Sequence, residues 1–316
     1  MSASPTILIT TAHGMFGSAL VRELAERGDV HVRAMVHARR DDDVDTDSIT
    51  YVTADLDDPA TLPLVCSGIT DAFVATPMDG RIAARETALI DAVREASPDA
   101  RILAISGAVD HQGDALSLQH QKALDHLKAS GLRWSILSPN SVMETSLLPY
   151  AGTIENDAIF GMSGEGRIGL VALADVARVG ADVLCRDDTD GQEFVCTGPE
   201  AVTMAQVCAS FSEILGRTIH YYDLPEADLA KLLLEHGGFT DPHQLDTEVL
   251  CHFRAWARGG ADVVTDTVQA VTGQAPQDVR SWIDEHRSEF DAKPGVKDRM
   301  MAWLMHLQFG KYETKD

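Results

Sequence analysis

The run Thr6-Ile7-Leu8-Ile9-Thr10, followed by Thr11-Ala12-His13-Gly14-Met15-Phe16-Gly17, limits what this chain can fold into more than any other stretch. The first segment is aliphatic and β-branched without alternation, the pattern of a parallel strand buried on both faces. From Ser18 to Arg27 the spacing is helical, with Phe16, Leu20 and Leu24 four apart on one face and Gly28 placed to end the helix. The turn between them aims a helix N-terminus outward. Its unpaired N–H groups and about half a positive charge suit a pyrophosphate, so a dinucleotide is expected here.

The turn is an incomplete glycine fingerprint: Thr11 stands where a full version has glycine, and Gly14 and Gly17 remain. Gly14 would let phosphate approach the backbone, and Gly17 would let the helix lie close to the strand. A β-branched residue tolerates positive φ poorly, so Thr11 is expected to make the turn with ordinary dihedrals. Thr11, His13, Gly14, Met15, Phe16 and Gly17 are the candidate phosphate contacts.

A second strand, His31 to Val36, runs into His37, Arg39 and Arg40. An acidic residue closing this strand would bind a ribose 2′-hydroxyl, whereas basic ones accommodate a 2′-phosphate. These three residues favour NADP over NAD, with NAD as the alternative; the acidic run Asp41 to Asp47 reads as a solvated loop. Further strands are expected at Thr50–Val52, Asp71–Ala75, Arg101–Ile105 and Trp134–Leu137, with helices at Ile82–Glu95 and Ser117–Ser130 between them. Strands and helices alternating at this spacing predict an α/β fold: a doubly wound, Rossmann-like parallel sheet with ligands at the strands' carboxyl ends.

Composition excludes several other classes. The formal net charge of −23 argues against nucleic acid as a partner. Cys66, Cys185, Cys196, Cys208 and Cys251 are scattered, with no Cys-x-x-Cys pair, which favours reduced thiols over disulfides or zinc. Neither a signal peptide nor an apolar run of membrane-spanning length is evident. The expectation is a cytoplasmic protein without a membrane or metal role.

Beyond residue 140 the parallel rhythm is lost. Asp175 reads as the N-cap of a helix through Leu184, Thr203 as the cap of one through Leu215, and Glu193–Cys196 and Thr218–Tyr222 as strands. Tyr221 and Tyr222 should split between core and surface. Helices are expected at about 226–236, 245–258, 262–272 and 278–289. This divides the chain into a dinucleotide-binding domain, 1–140, a smaller α/β lid, 141–290, with some elements returning to the sheet, and an apolar tail, 291–316. In the tail, Met300, Met301, Trp303, Leu304, Met305, Leu307 and Phe309 form a stripe too short to span a bilayer, which must dock on the chain's own body or on a second copy as a homodimer.

Three motifs in sequence carry a family resemblance: Ile7-Leu8-Ile9-Thr10-x-Ala12-x-Gly14-x-x-Gly17, Ala54-Asp55-Leu56-Asp57-Asp58-Pro59, and Ala129 to Asn140. With Gly166-Arg167-Ile168, Ala174 to Ala177, Thr197 to Glu200 and Ser212 to Arg217, they resemble NmrA-like proteins, atypical members of the short-chain dehydrogenase/reductase superfamily, over about residues 5–290. The resemblance implies an NADP-dependent oxidoreductase acting on a small quinone, carbonyl or similar acceptor. The alternative is a redox sensor that binds NADP without turnover and signals to a protein partner. It places Asp55 and Leu56 beside the cofactor, and Thr76, Pro77, Ser106 and Pro139 near the nicotinamide. The superfamily's Tyr-x-x-x-Lys pair is absent, because Leu118 fills the tyrosine position before Lys122. His120 is the implied proton donor, a role that an imidazole can fill near neutral pH, Ser106 is the implied substrate-polarising hydroxyl, and Lys122 is the third catalytic candidate. His236 and His243 read as loop residues.

Overall fold

The computed structural model describes residues 4–291 and 309–314. Its centre is a sheet of seven parallel strands: β1 (Thr6–Ile9), β2 (His31–Val36), β3 (Ile49–Thr53), β4 (Asp71–Val74), β5 (Arg101–Ile105), β6 (Arg133–Pro139) and β8 (Glu193–Cys196), in the order β3-β2-β1-β4-β5-β6-β8. Two further strands, β7 (Ala158–Gly161) and β9 (His220–Asp223), pair in parallel as a separate sheet. Every residue of β4 and β5 is buried, as uninterrupted apolar runs require when helices cover both faces. On one face, helices Met15–Arg27 and Leu173–Leu184 pack Leu20, Leu24, Val176 and Val179 against Ile7, Ile9 and Leu103. On the other, helices Ile82–Ala96 and Ala115–Ala129 set Leu89, Val93 and Leu127 against Leu8, Val74 and Ile102.

The strand order reverses between β1 and its neighbours β2 and β4, which makes the carboxyl end of β1 the topological switch point. Thr10 ties that point together. Its buried hydroxyl donates to the Ala75 carbonyl at 2.7 Å and accepts from the Ala75 amide at 2.9 Å.

A second core lies beneath the β7–β9 sheet, around Phe160, Phe211, Tyr222 and Trp282. Tyr221 and Tyr222 do not divide between core and surface; both are buried. The Tyr221 hydroxyl pairs with Ser163 Oγ at 2.8 Å, while Tyr222 stacks on Phe160 with ring centroids 5.3 Å apart. Phe309 packs edge-on against Phe160 at 5.4 Å, and the Thr314 amide donates to the Tyr221 carbonyl at 3.2 Å. The end of the chain thus covers a face of β9 that alternation alone would leave wet. Met300, Met301, Trp303, Leu304, Met305 and Leu307 lie outside the described residues.

Asp175 is not an N-cap. The helix begins at Leu173, whose amide donates to Glu144 Oε2 at 2.9 Å, so a distant glutamate does the capping. Asp175 lies buried in the first turn, where it accepts from the Gln277 amide and pairs with Arg178. Thr203 does cap Met204–Leu215, in a capping box with Gln206. The helix expected over 262–272 is confined to Thr267–Thr272. No described helix is long and apolar enough to cross a membrane.

Candidate active site

The turn after β1 is tighter than the residue types suggest. Thr11 has φ +46, in the left-handed region, and its carbonyl accepts from the Gly14 amide at 2.7 Å. Threonine therefore occupies the backbone conformation that the missing glycine would have supplied, at a strain cost of about 1–3 kcal/mol. The expectation of ordinary dihedrals fails because that short hydrogen bond and the Thr10–Ala75 pair on its other side leave Thr11 no freedom. Gly17 answers to the same carbonyl: a Cβ there would lie 2.3 Å from Thr11 O. A Cβ on Gly14 would lie 3.0 Å from that atom. Gly14 begins the helix with no side-chain cap and no acidic residue in the first turn. The N–H groups of that turn face the switch point without a competing carboxylate on their own helix, which suits a dinucleotide's pyrophosphate.

The candidate 2′-phosphate region is not a bare basic patch. Arg39 forks onto Asp45 at 3.0 and 3.2 Å, donates to the Asp43 carbonyl at 2.8 Å and lies over the Tyr51 ring. His13 pairs with Asp43 Oδ1 at 2.7 Å, and Asp43 Oδ2 accepts from the Arg40 amide at 2.7 Å. The Asp43 side chain is only 4 % exposed. Asp43 and Asp45 thus fold back onto the glycine turn and Arg39, because each of these two carboxylates finds a cation and an amide there, while the rest of the acidic run is exposed, as a solvated loop would be. The Arg40 and His37 side chains are exposed, and His37 stands 3.8 Å from Asp55.

Arg85, buried on helix Ile82–Ala96, holds the loop that follows β3. It grips Asp57 at 2.8 and 2.9 Å and Asp79 at 2.9 Å, which fixes the segment carrying Asp55 and Leu56 beneath the switch point. One turn of that helix brings Glu86 to Thr76, whose hydroxyl donates to Glu86 Oε1 at 3.2 Å. Glu86 is 2 % exposed, and burial pushes its carboxyl up to about 7 against the pull of the Thr76 hydrogen bond. Neither Arg85 nor Glu86 was among the sequence candidates. The pattern did carry a sign of Glu86, which follows Ile82 by four and precedes Leu89 and Ile90 on one helical face.

The ends of β4, β5 and β6 lie side by side and bring Thr76, Pro77, Ser106 and Pro139 to one edge. The Ser106 amide donates to the Leu137 carbonyl at 2.9 Å and the Ala108 amide to the Pro139 carbonyl at 3.0 Å. His120 lies in the second turn of helix Ala115–Ala129, its Nδ1 buried without a hydrogen-bond partner. Burial, helped by the nearby His111, lowers its pKa. Lys122 and Leu118 are exposed on the same helix. His236 and His243 are exposed as well.

Sheet order, switch point and turn define a dinucleotide-binding α/β protein. Residues 11–187 match the model of a family described as NAD(P)H-binding. The chain belongs to that family. It is 26 % identical over 289 residues to the NAD(P)H azoreductase of Xenophilus azovorans, covering 90 % of this chain and 99 % of that one. Among solved structures, the NADPH complex of quinone oxidoreductase 2 from Escherichia coli superposes with a TM-score of 0.81 at 22 % identity, over 89 % of this chain and 99 % of the other. NmrA, a negative transcriptional regulator, superposes with a TM-score of 0.68 at 18 % identity, over 92 % and 98 %. At these identities the two structures establish the shared fold.

Proposed function

We propose that this chain is an NADPH-dependent oxidoreductase that reduces a small, quinone-like organic acceptor. The observation that carries the reading is the carboxyl edge of the sheet, where the dinucleotide turn stands beside a site without the usual tyrosine acid. Leu118 fills that position and is exposed, while the titratable group nearby is the half-buried imidazole of His120. An acceptor that becomes aromatic on reduction spreads the resulting negative charge itself and needs little acid help. The relatives named above are an azoreductase and a quinone oxidoreductase.

The amides of Met15 and Phe16, with Gly14, hold the pyrophosphate. Arg39, Arg40 and His37 take the 2′-phosphate, for which Asp45 must release Arg39. Thr76, Pro77, Ser106 and Pro139 seat the nicotinamide ring, which when bound supplies the hydride. Ser106 polarises the acceptor oxygen. Burial lowers the pKa of His120, so its imidazolium forms by taking a proton from solvent as negative charge develops on the acceptor, and passes that proton to the acceptor oxygen. Lys122, exposed on the same helix, is the remaining catalytic candidate. The β7–β9 sheet and the helices around it form the acceptor's lid. Phe309 and Thr314 dock on their own chain, with a homodimer as the outcome if the solution mass is double. A cytoplasmic setting fits five free thiols.

Steady-state oxidation of NADPH and NADH with a panel of quinones, azo dyes and aldehydes tests the reading. Quinones or dyes should turn over with NADPH preferred, and His120→Ala should lower kcat by less than about 100-fold, since the acceptor needs little acid help, with cofactor affinity unchanged. Tight NADPH binding with no turnover of any acceptor would overturn the proposal in favour of a sensor. Full activity in His120→Ala would remove His120 from it.

A further inference from the structure

Apart from the dinucleotide turn, the described residues hold one group of side chains whose donor set points to a ligand. His111 lies in the loop between β5 and helix Ala115–Ala129. Cys251 and His252 open helix Cys251–Ala257, directly after the π-helical turn Asp246–Leu250. One donor atom from each of the three lies within 4.8 Å of the others. His111 and Cys251 are buried and His252 is half-buried; the two imidazoles meet edge to face with ring centroids 4.8 Å apart.

The arrangement behind these donors is that of a prepared ligand set. His111 Nδ1 is 2.9 Å from Asp114 Oδ2. Asp114 is itself fixed, since its other oxygen caps helix Ala115–Ala129 by accepting from the Ser117 amide at 2.9 Å. A carboxylate on Nδ1 sets the tautomer, leaving Nε2 as a lone-pair donor, and is the partner that metal-bound histidines usually have. The two chain segments are pinned to each other by backbone: the Asp110 amide donates to the Gly260 carbonyl at 2.8 Å, and a Cβ on Gly260 would strike the Asp110 carbonyl at 2.4 Å. Two of the three donors, His111 and Cys251, line a cavity of about 390 Å³, together with Asp114, Asp246, Arg254 and Arg258.

We propose that His111, Cys251 and His252 form a site for a borderline-soft divalent cation, Zn²⁺ foremost, with the fourth coordination position open to the cavity. Two imidazoles and a thiolate select such a cation over Mg²⁺ or Ca²⁺, which require oxygen donors. Tetrahedral bonds of 2.0–2.3 Å set donors about 3.3–3.8 Å apart, so the side chains close by about 1 Å on binding. The Cys251 thiol, which donates to the Thr247 carbonyl at 3.0 Å, exchanges that bond for the metal and releases its proton. The ion then clamps the loop after β5 to the lid helix, a link that the five scattered cysteines did not suggest because His111 is remote in sequence from the other two donors. The site stands independently of hydride transfer.

Cobalt titration of the full, reduced chain, free of any polyhistidine tag, tests this. One equivalent of Co²⁺ should produce a thiolate-to-cobalt charge-transfer band with tetrahedral ligand-field bands, and Zn²⁺ should displace it. Cys251→Ser should abolish the charge-transfer band. Asp114→Asn, which keeps the helix cap, should weaken Co²⁺ by about 10–100-fold, and His111→Ala or His252→Ala by more. Unchanged NADPH affinity in each variant confirms its fold. On the unmodified chain, Zn²⁺ should also protect Cys251 from alkylation while the exposed Cys185 continues to react. Absence of saturable Co²⁺ binding, a band that survives Cys251→Ser, or alkylation of Cys251 that ignores Zn²⁺ would each overturn the site.

Discussion

The two edges of the parallel sheet are built from the same strands and treat their polar groups in opposite ways. At the amino-terminal edge, Arg101 begins β5 with 2 % of its surface exposed, yet each arm of its guanidinium is engaged. It pairs with Asp71 at 2.8 Å, donates to the Leu184 carbonyl at 2.9 Å and reaches the Arg186 carbonyl and Thr189 hydroxyl. Beside it the Ser135 hydroxyl donates to the Thr189 carbonyl at 2.7 Å. At the carboxyl-terminal edge, Thr11 holds a left-handed φ, Glu86 is a buried carboxyl with one hydroxyl partner, and His120 keeps a buried nitrogen unpaired. One edge is closed chemistry that holds β4, β5 and the end of helix Leu173–Leu184 together. The other keeps strain and unspent hydrogen-bonding capacity where a ligand would arrive.

If that contrast is right, Arg101→Ala should have the largest effect on the fold. Removing one partner of a buried pair leaves Asp71 uncompensated and should cost about 3–5 kcal/mol in urea unfolding, with dinucleotide affinity of the folded fraction unchanged. A loss below about 1 kcal/mol would erase the distinction between the edges.

The opposite sign is expected for Glu86. Its carboxyl is raised from 4.5 to about 7 by burial, so its protonated form stabilises the fold fully below about pH 4.5, and that contribution is lost as pH rises through about 7. The shift corresponds to about 3 kcal/mol. Glu86→Gln keeps an oxygen for the Thr76 hydroxyl and removes the titration, so the variant should be the more stable protein at pH 8 and nearly equal to the parent at pH 5. Parallel stability curves across that range would contradict the assignment.

A smaller effect sharpens the cofactor end of the comparison. Asp45 competes with a 2′-phosphate for Arg39, so Asp45→Asn should tighten NADPH a few-fold and leave NADH unchanged in calorimetric titration. Equal changes for both cofactors would place the 2′-phosphate away from Arg39.

What the sequence disclosed follows the same division. The strands of the main sheet were legible because buried parallel strands are apolar throughout, and the helices because Leu20 and Leu24, or Leu89 and Val93, repeat on one face. Thr11's backbone was not legible: residue type argued against positive φ, and the hydrogen bond that imposes it depends on the finished turn. The Asp43–His13 and Asp45–Arg39 pairs were hidden because charge runs carry no information about which cation they fold onto. Glu144 capping Leu173, and Phe309 covering Tyr222, depend on contacts between segments far apart in the chain, which local periodicity does not record. Of the candidate site, the glycine turn and the strand ends could be read from pattern, while the partners that set Glu86 and His120 could not.

The central claim, that this edge passes hydride from NADPH to a conjugated acceptor, is tested most directly by single-turnover oxidation of NADPH deuterated at the transferring position of C4, in the presence of a quinone that turns over. The account predicts a primary isotope effect on the oxidation rate, retained in Asp45→Asn. Bound NADPH that stays reduced whatever acceptor is added would contradict it.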